Sequence, residues 1–172
     1  MKLKWITSLL FVVLLFSACS GATMDQVIEE DIPFNVIEVI HKEKVKDGVV
    51  LLYVTKQKSG REPIDAVTVA FLKGNDRDGW GNAGHNHWEH EENDWMTVYK
   101  DVFYEYNHRG NLENRLPVIY GKVVREDIQS VVVYGENGKL ENAPIFEKEG
   151  GRYYLKLGDY EMARGIVKNN SK

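Results

Sequence analysis

The chain has 172 residues with 22 basic and 26 acidic side chains, so its formal net charge near neutral pH is −4. This acidic balance argues against nucleic acid, and against a polybasic membrane patch, as modes of interaction. A single cysteine excludes an internal disulfide, so packing or a bound ion must stabilise the fold.

The first predicted element is a secretion signal. Lys2 and Lys4 precede an almost unbroken apolar run at positions 6–16. That run is far shorter than the roughly 20 residues that a membrane-spanning helix needs. Small residues then lead to Cys19, the lone cysteine. We therefore predict that residues 1–18 are a leader that is removed from the mature protein.

The end of this leader resembles bacterial lipoprotein signals, in which an apolar residue, two small residues and a cysteine form the cleavage site. Ser17, Ala18 and Cys19 match that pattern, and Phe16 stands where leucine is usual. The resemblance implies that the Cys19 thiol receives a diacylglycerol and that residues 19–24 form a tether. Acyl chains, at about 0.8 kcal/mol per methylene, would hold the protein on the extracytoplasmic face of the cell membrane. An ordinary cleaved signal, or an uncleaved anchor, is the alternative.

A short helix and a series of strands are expected next. Thr23 is a suitable N-cap for a helix over 23–31, which ends before Pro33. Asp47-Gly48 between two apolar runs predicts a β-hairpin whose turn residues take positive φ. The first three strands are predicted at 34–45, 49–55 and 66–72.

The middle of the chain is predicted to contain a long loop and then a long strand. A polar, glycine-rich loop covers about 74–94, and the strand covers 95–106. Another loop at 107–115 is followed by Pro117, which is expected at the beginning of a strand, where a missing N–H is tolerated. The later strands are predicted at 118–124, 128–134, 143–146, 153–157 and 162–167.

Turns about every ten residues predict a mainly β fold. We expect an antiparallel sandwich or meander of short strands, with one short N-terminal helix after the signal peptide. The loop near 107 divides the chain into a helix plus β-rich half at 25–107 and a second β-rich half at 108–172. A single domain over 25–172 is the alternative.

The candidate site is a histidine-rich loop. His85, His87 and His90 lie within six residues, with Glu89 between them. Imidazole and carboxylate groups are suitable ligands for zinc or another divalent metal. Regular structure does not bring all three histidines together, so ligation requires an irregular turn. A plain surface loop and a pH-responsive patch are the two other interpretations.

The same six residues are similar to the H-x-H-x-D-H motif of the metallo-β-lactamase superfamily, with Glu89 in the aspartate position. Only His108 follows downstream to supply a further histidine ligand. The chain is also too short and too β-rich for the α/β sandwich of that family. We therefore do not carry its activity over to this protein.

Aromatic side chains allow two interpretations. Exposed rings would suit a sugar or a choline-type cation, whereas aromatics that alternate along a strand are typical of core pairs. On the strand at 95–106, Tyr104 and Tyr106 are expected on one face, and Tyr99 and Phe103 on the other. We expect these tyrosines to belong to the core.

The mature part resembles small uncharacterised lipoproteins and secreted proteins of Bacillus-like Firmicutes. The resemblance is carried by 34–53 (FNVIEVIHKEKVKDGVVLLY), Gly79-Trp80 and 116–133 (LPVIYGKVVREDIQSVVV). It implies location and a β fold, since no activity is assigned to that family. No nucleophile elbow or phosphate loop is recognisable. The expectation is a non-enzymatic binding or interaction domain whose protein or small-molecule partner is unknown. The alternative is a metal-binding lipoprotein, or a metal-dependent hydrolase, that uses the histidine cluster.

Overall fold

The computed structural model describes residues 21–33, 35–59, 62–85, 89–92, 94–136 and 138–168. The predicted leader, the predicted lipidation site Cys19 and the candidate ligand His87 lie outside these residues. None of the helices in the described part of the chain has the length and apolarity needed to span a membrane.

The described chain begins with a short helical segment. Helix α1 (Met24–Gln26) continues as a π-helical turn at Val27–Asp31. The Thr23 hydroxyl accepts from the Gln26 N–H at 3.2 Å, and the Gln26 side chain accepts from the Thr23 N–H at 2.8 Å. This reciprocal capping box satisfies two backbone donors at the helix start. The predicted helix with Thr23 as N-cap is confirmed.

Twelve strands follow in the described residues, and every pairing between them is antiparallel. They form a first sheet with the order β1-β2-β3-β4, a second with β10-β11-β7-β6-β5 and a third with β12-β8-β9. The predicted mainly β, antiparallel fold is confirmed. The strands are β1 (Val36–Val45), β2 (Gly48–Ser59), β3 (Glu62–Asn75), β4 (Gly79–His85), β5 (Glu89–Glu92), β6 (Thr97–Tyr106), β7 (Leu112–Lys122), β8 (Ile128–Gly135), β9 (Leu140–Ala143), β10 (Ile145–Lys148), β11 (Gly151–Leu157) and β12 (Tyr160–Val167).

The helical segment and the three sheets stack as four layers with an apolar core at each junction. In β2, Leu51 belongs to the core beneath the helix, while Val50 and Leu52 belong to the core shared with the second sheet. In β7, Tyr120 faces the first sheet and Ile119 faces the third. Because the central strands are covered on both faces, they have continuous apolar runs rather than an alternation with polar residues.

Strands from both sides of residue 107 contribute to the second sheet. Its order places β5 and β6 beside β7, β10 and β11. The pairing of β6 with β7 extends from Tyr99 opposite Tyr120 to Tyr106 opposite Leu112. Backbone pairing therefore runs directly between the two predicted halves.

The predicted loop over 74–94 is wrong at two places, because β4 and β5 lie within it. β4 pairs with β3 at an edge of the first sheet, and β5 pairs with β6 at an edge of the second. An edge strand is held by backbone hydrogen bonds to its one neighbour. Its side chains need not be apolar, so glycine and polar residues are tolerated there. Tertiary pairing thus overrides the low β propensity of these segments.

Two prolines do not lie where the sequence predicted. The single strand expected over 143–146 is divided at Pro144 into β9 and β10, which belong to different sheets. Pro117 lies inside β7 rather than at its beginning. Its carbonyl accepts from the Gly158 N–H at 2.9 Å, beyond the point where pairing with β11 ends at Val118. The missing N–H of Pro117 therefore falls at the end of the pairing between β7 and β11, where it does least harm to the sheet.

The predicted hairpin between β1 and β2 is present, but its glycine has another role. The turn consists of Lys46 and Asp47, and Gly48 pairs with Val45 as the first residue of β2. Neither Asp47 nor Gly48 has a positive φ. A Cβ on Gly48 would lie 2.0 Å from the Leu72 carbonyl oxygen, so the glycine allows β3 to approach closely.

Candidate functional site

The histidine-rich segment connects an edge of the first sheet to an edge of the second. His85 ends β4, and Glu89 and His90 begin β5. His87, and the side chains of the other three residues, lie outside what the structure describes. Among the described side chains, no group of three or more His, Cys, Asp or Glu residues is placed to hold a metal. The metal site stays a prediction, which calorimetric titration of the full chain with zinc would test.

A groove runs beside β12, between the third sheet and the outer face of the second. It contains two cavities of about 450 and 520 Å³. The first lies between Tyr104, Pro117 and residues 158–161. The second lies between Trp95 and residues 162–165. We call the two linings together the β12 groove; they consist of residues 158–165, Trp95, Met96, Lys100, Asp101, Val102, Tyr104, Pro117, Val118 and Glu136.

One edge of β12 forms the wall of this groove. Eight consecutive residues, 158–165, line the two cavities. Successive side chains of a strand point to opposite faces of the sheet, so a cavity on one face would contact only every second residue. A cavity that contacts consecutive residues must therefore lie along the edge of the strand. The opposite edge of β12 pairs with β8, from Tyr160 opposite Gly135 onward. The groove therefore follows the edge of β12 that has no strand partner in the described part of the chain.

Two exposed tyrosines lie near the end of β6, and the first of them, Tyr104, lines the first cavity. Tyr104 is 48% exposed and Tyr106 is 62% exposed, and their ring centroids are 6.5 Å apart. The prediction that the tyrosines of this strand belong to the core is wrong for these two. It is confirmed for Tyr99, which stacks on Tyr120 at 5.3 Å and packs against the first core. The third sheet covers the outer face of β6 at Val98 but does not reach its far end.

The first cavity carries an excess of acidic side chains. Glu136, Asp159 and Glu161 line it and are exposed. Arg115 forms an ion pair with Asp159. Hydrogen bonds to Asp159 and to Tyr104 raise the pKa of the Arg115 guanidinium. The guanidinium therefore already has hydrogen-bond partners within the protein. Lys100 also lines the cavity, and the acids outnumber it.

The second cavity has no acidic side chain among the described residues that line it, and it includes Arg164. Trp95 is 44% exposed, and the Arg125 guanidinium lies 4.1 Å from the centre of its ring. Met162 is also exposed beside it. Aromatic and thioether groups of this kind provide contact area that adapts to different apolar side chains. The two ends of the groove therefore differ in charge: the first has an excess of acidic side chains, and the second has an aromatic ring, a thioether and Arg164.

A separate group of buried tyrosine hydroxyls lies inside the stack. Burial raises the pKa of Tyr53 to about 12, against a smaller opposing effect of a hydrogen bond with Thr68. Burial, followed by the charge of Asp101, raises the pKa of Tyr120 further. Both phenols therefore stay neutral over the physiological pH range, which suits a role in packing rather than in proton transfer.

Comparison of the chain with protein-family models, with curated proteins and with solved structures gave no significant match.

The β12 groove was not identified from the sequence. Its wall is a strand edge, and only the order of strands in a sheet determines which edge is left open. The one local indication was the turn at Gly158, which precedes a strand with charged residues such as Glu161 and Arg164.

Proposed function

We propose that this protein is a membrane-tethered, extracytoplasmic binding protein without enzymatic activity, and that the β12 groove binds its ligand. One observation carries the proposal: the lining of the first cavity combines residues at the open edge of β12, the exposed Tyr104 ring and exposed carboxylates. Rings and apolar side chains provide contact area, and a few polar groups orient the bound molecule.

The tether is supported by the lipoprotein-like segment that ends at Cys19 and by the docking of the residues just after it. The Ala22 carbonyl accepts from the Trp80 N–H of β4 at 2.9 Å. A Cβ on Gly21 would lie 2.7 Å from the Cα of Gly79, so this part of the chain lies directly on β4.

A lipid on Cys19 would therefore be close to the folded domain. Only Ser20 separates Cys19 from Gly21, which is at most about 8 Å between Cα atoms. The layer that contains the helix and the first sheet would lie near the membrane. The third sheet and the β12 groove would lie at the other end of the stack, where a ligand outside the cell can reach them.

The tether is tested by the intact mass of the full-length protein after extraction from the membrane of its host. We expect a mass that lacks residues 1–18 and includes a diacylglycerol, because a lipid on the Cys19 sulfur requires both processing steps. The Cys19→Ala variant should keep its leader and carry no lipid. A membrane-extracted protein that still begins at Met1 with an unmodified thiol would contradict the tether.

The binding function is tested with the purified full chain on an array of synthetic decapeptides and wall glycans, each of known structure. We expect a defined set of probes to bind, and the Tyr104→Ala/Tyr106→Ala variant to lose at least tenfold in affinity for them. Leu140→Ala is the matched control, because Leu140 is also an exposed large apolar residue but lies on β9, outside the groove lining. If the double variant binds every probe as the wild type does, the groove is not the binding surface.

A further inference from the structure

We propose that the ligand of the β12 groove is an extended, basic peptide that pairs with β12 as an additional strand of the third sheet. The inference rests on the proposed binding function and specifies the class of ligand. Peptides that add a strand to an open sheet edge gain affinity from backbone hydrogen bonds and specificity from alternate side chains.

The length and regularity of β12 suit this kind of pairing. Its register with β8 is irregular between Tyr160 and Met162 and again between Ile166 and Val167, and it is regular between them. The regular stretch from Met162 to Ile166 presents backbone N–H and C=O groups along the groove. Neighbouring strands lie about 4.8 Å apart, and the two cavities provide open space along this edge.

A strand added beside β12 would lie over the outer face of β6. Its inward-pointing side chains, two residues apart, would meet Tyr104 at one end of the groove and Trp95 at the other. The outward-pointing side chains would extend the outer face of the third sheet. The groove therefore selects the ligand through alternate positions only.

Charge favours lysine or arginine in the ligand. The exposed carboxylates of Glu136 and Glu161 line the first cavity beside the Arg115–Asp159 ion pair, whose two charges offset each other. A basic side chain there gains attraction from the carboxylates and from the face of the Tyr104 ring. The second cavity, lined by Trp95 and Met162 but also by Arg164, favours an aliphatic over a basic side chain of the same peptide.

A second copy of this chain is a poorer occupant of the edge. Arg164 is the central residue of the regular stretch, so an antiparallel pair of β12 strands about that centre would place two arginines directly opposite each other. Like charges in that position destabilise strand pairing. The acidic net charge of the chain adds to the repulsion between copies.

The first test measures fluorescence anisotropy of a labelled decapeptide added to the full-length protein in detergent. Its alternate, inward-pointing positions carry lysine in the half that faces the first cavity and valine in the half that faces the second, with serine at the positions between them. We expect saturable binding, and at least tenfold weaker binding of the matched peptide with glutamate in place of lysine. Equal affinity for the two peptides would overturn the charge argument. Concentration-dependent dimers in sedimentation experiments that compete with the peptide would show that a second copy occupies the edge, which also overturns the proposal.

N-methylation separates strand pairing from simple charge attraction. Alternate N–H groups of an extended peptide point to the same side, so one set of N-methyl groups blocks pairing with β12 and the other set leaves it intact. We expect one N-methylated peptide to lose at least tenfold in affinity and the other to bind like the parent. Equal binding of both would contradict an added strand, because both keep all the side chains.

The protein side is tested with Glu136→Gln/Glu161→Gln, whose residues are exposed and belong to the groove. Affinity for the lysine peptide should fall about tenfold. The control is Glu29→Gln/Glu30→Gln, which removes the same charge from the exposed side of the helical segment, in the layer farthest from the third sheet. Equal losses in both variants would indicate general charge attraction and overturn the proposal.

The two levels of the proposal fail in different ways. If glycans bind in a manner that depends on Tyr104 and Tyr106 while no peptide binds, the peptide inference is wrong and the binding function stands. If those substitutions change no binding at all, the proposed function itself is wrong.

Discussion

At the scale of single residues, a glycine determines how closely β6, β7 and β11 pack. A Cβ on Gly121 would lie 1.9 Å from the Thr97 carbonyl oxygen and 2.8 Å from the Tyr154 ring. The Tyr154 hydroxyl donates to that same carbonyl at 2.9 Å. The position therefore has no room for a side chain, and the reason is packing rather than an unusual φ.

We predict that Gly121→Ala lowers the free energy of unfolding by at least about 2 kcal/mol, because the added methyl displaces backbone and ring atoms. Chemical denaturation of the two proteins measures this difference. Gly81→Ala is the matched control, since no atom lies within 4 Å of a Cβ at that position, and it should change stability by less than about 0.5 kcal/mol. Similar losses for both substitutions would contradict the packing argument.

At the scale of elements, the helical segment is held by its apolar side rather than by its length. Two short helical pieces would not be stable alone in water. Val27 is fully buried, and it packs with Ile28 and Ile32 onto the outer face of the first sheet. The Asn82 side chain also donates to the Asp31 carbonyl at 2.9 Å, which joins the end of the segment to β4.

We predict that Val27→Ala destabilises the protein by about 2 kcal/mol, because it removes two buried carbon atoms and leaves a cavity beneath the helix. It should also accelerate hydrogen exchange of the Trp80 amide, which donates to Ala22 at the start of this segment. Glu30→Ala, on the exposed side, serves as the control for helix propensity. Unchanged exchange at Trp80 in the Val27 variant would show that the segment docks independently of this contact.

At the scale of the whole molecule, stability depends on pH at both ends of the range. Hydrogen bonds from Lys139 and then from Lys156 lower the pKa of Glu141 to about 2. A group with a lowered folded pKa stabilises the fold above its ordinary value of 4.5, and this effect is lost as the pH falls from 4.5 towards 2. Tyr53, whose pKa burial raises to about 12, stabilises the fold fully below pH 10 and loses this effect as the pH rises from 10 through 12.

We therefore predict a plateau of stability between about pH 5 and pH 9 with a decline on either side. Urea denaturation at a series of pH values measures the profile. Glu141→Gln should make the acid limb shallower and leave the alkaline limb unchanged. Tyr53→Phe should make only the alkaline limb shallower, and a decline remains because burial also raises the pKa of Tyr120 and Tyr154. Tyr106→Phe is the control for the alkaline limb, because Tyr106 is exposed. If both limbs respond equally to each substitution, the assignment of causes is wrong.

Local chemistry in the sequence was sufficient for much of the fold. The Thr23 capping box, the apolar runs of the central strands and the turns between them predict elements that the structure confirms. These features depend on neighbours a few residues apart, so a single segment contains the necessary information. The predicted strand boundaries were wrong at Pro117 and Pro144, because the effect of a proline depends on which strand lies beside it.

The candidate sites show where this local information ends. The histidine-rich segment is conspicuous in the sequence, yet whether His85, His87 and His90 converge depends on chain geometry that spacing does not determine. The β12 groove, by contrast, is visible in the structure, but no sequence motif indicates it. It exists because β8 takes one edge of β12 and because the third sheet stops short of Tyr104.

The sequence alone determined that this chain is mainly β and that its net charge is negative, because composition and periodicity act residue by residue. Only the tertiary structure decided that the strands form three stacked sheets, that weak β4 and β5 become edge strands, and that one edge of β12 stays open over exposed tyrosines. The physical reason is that strand pairing joins segments far apart in the chain. The partner of a strand, and therefore its free edge, is not a property of the strand's own residues.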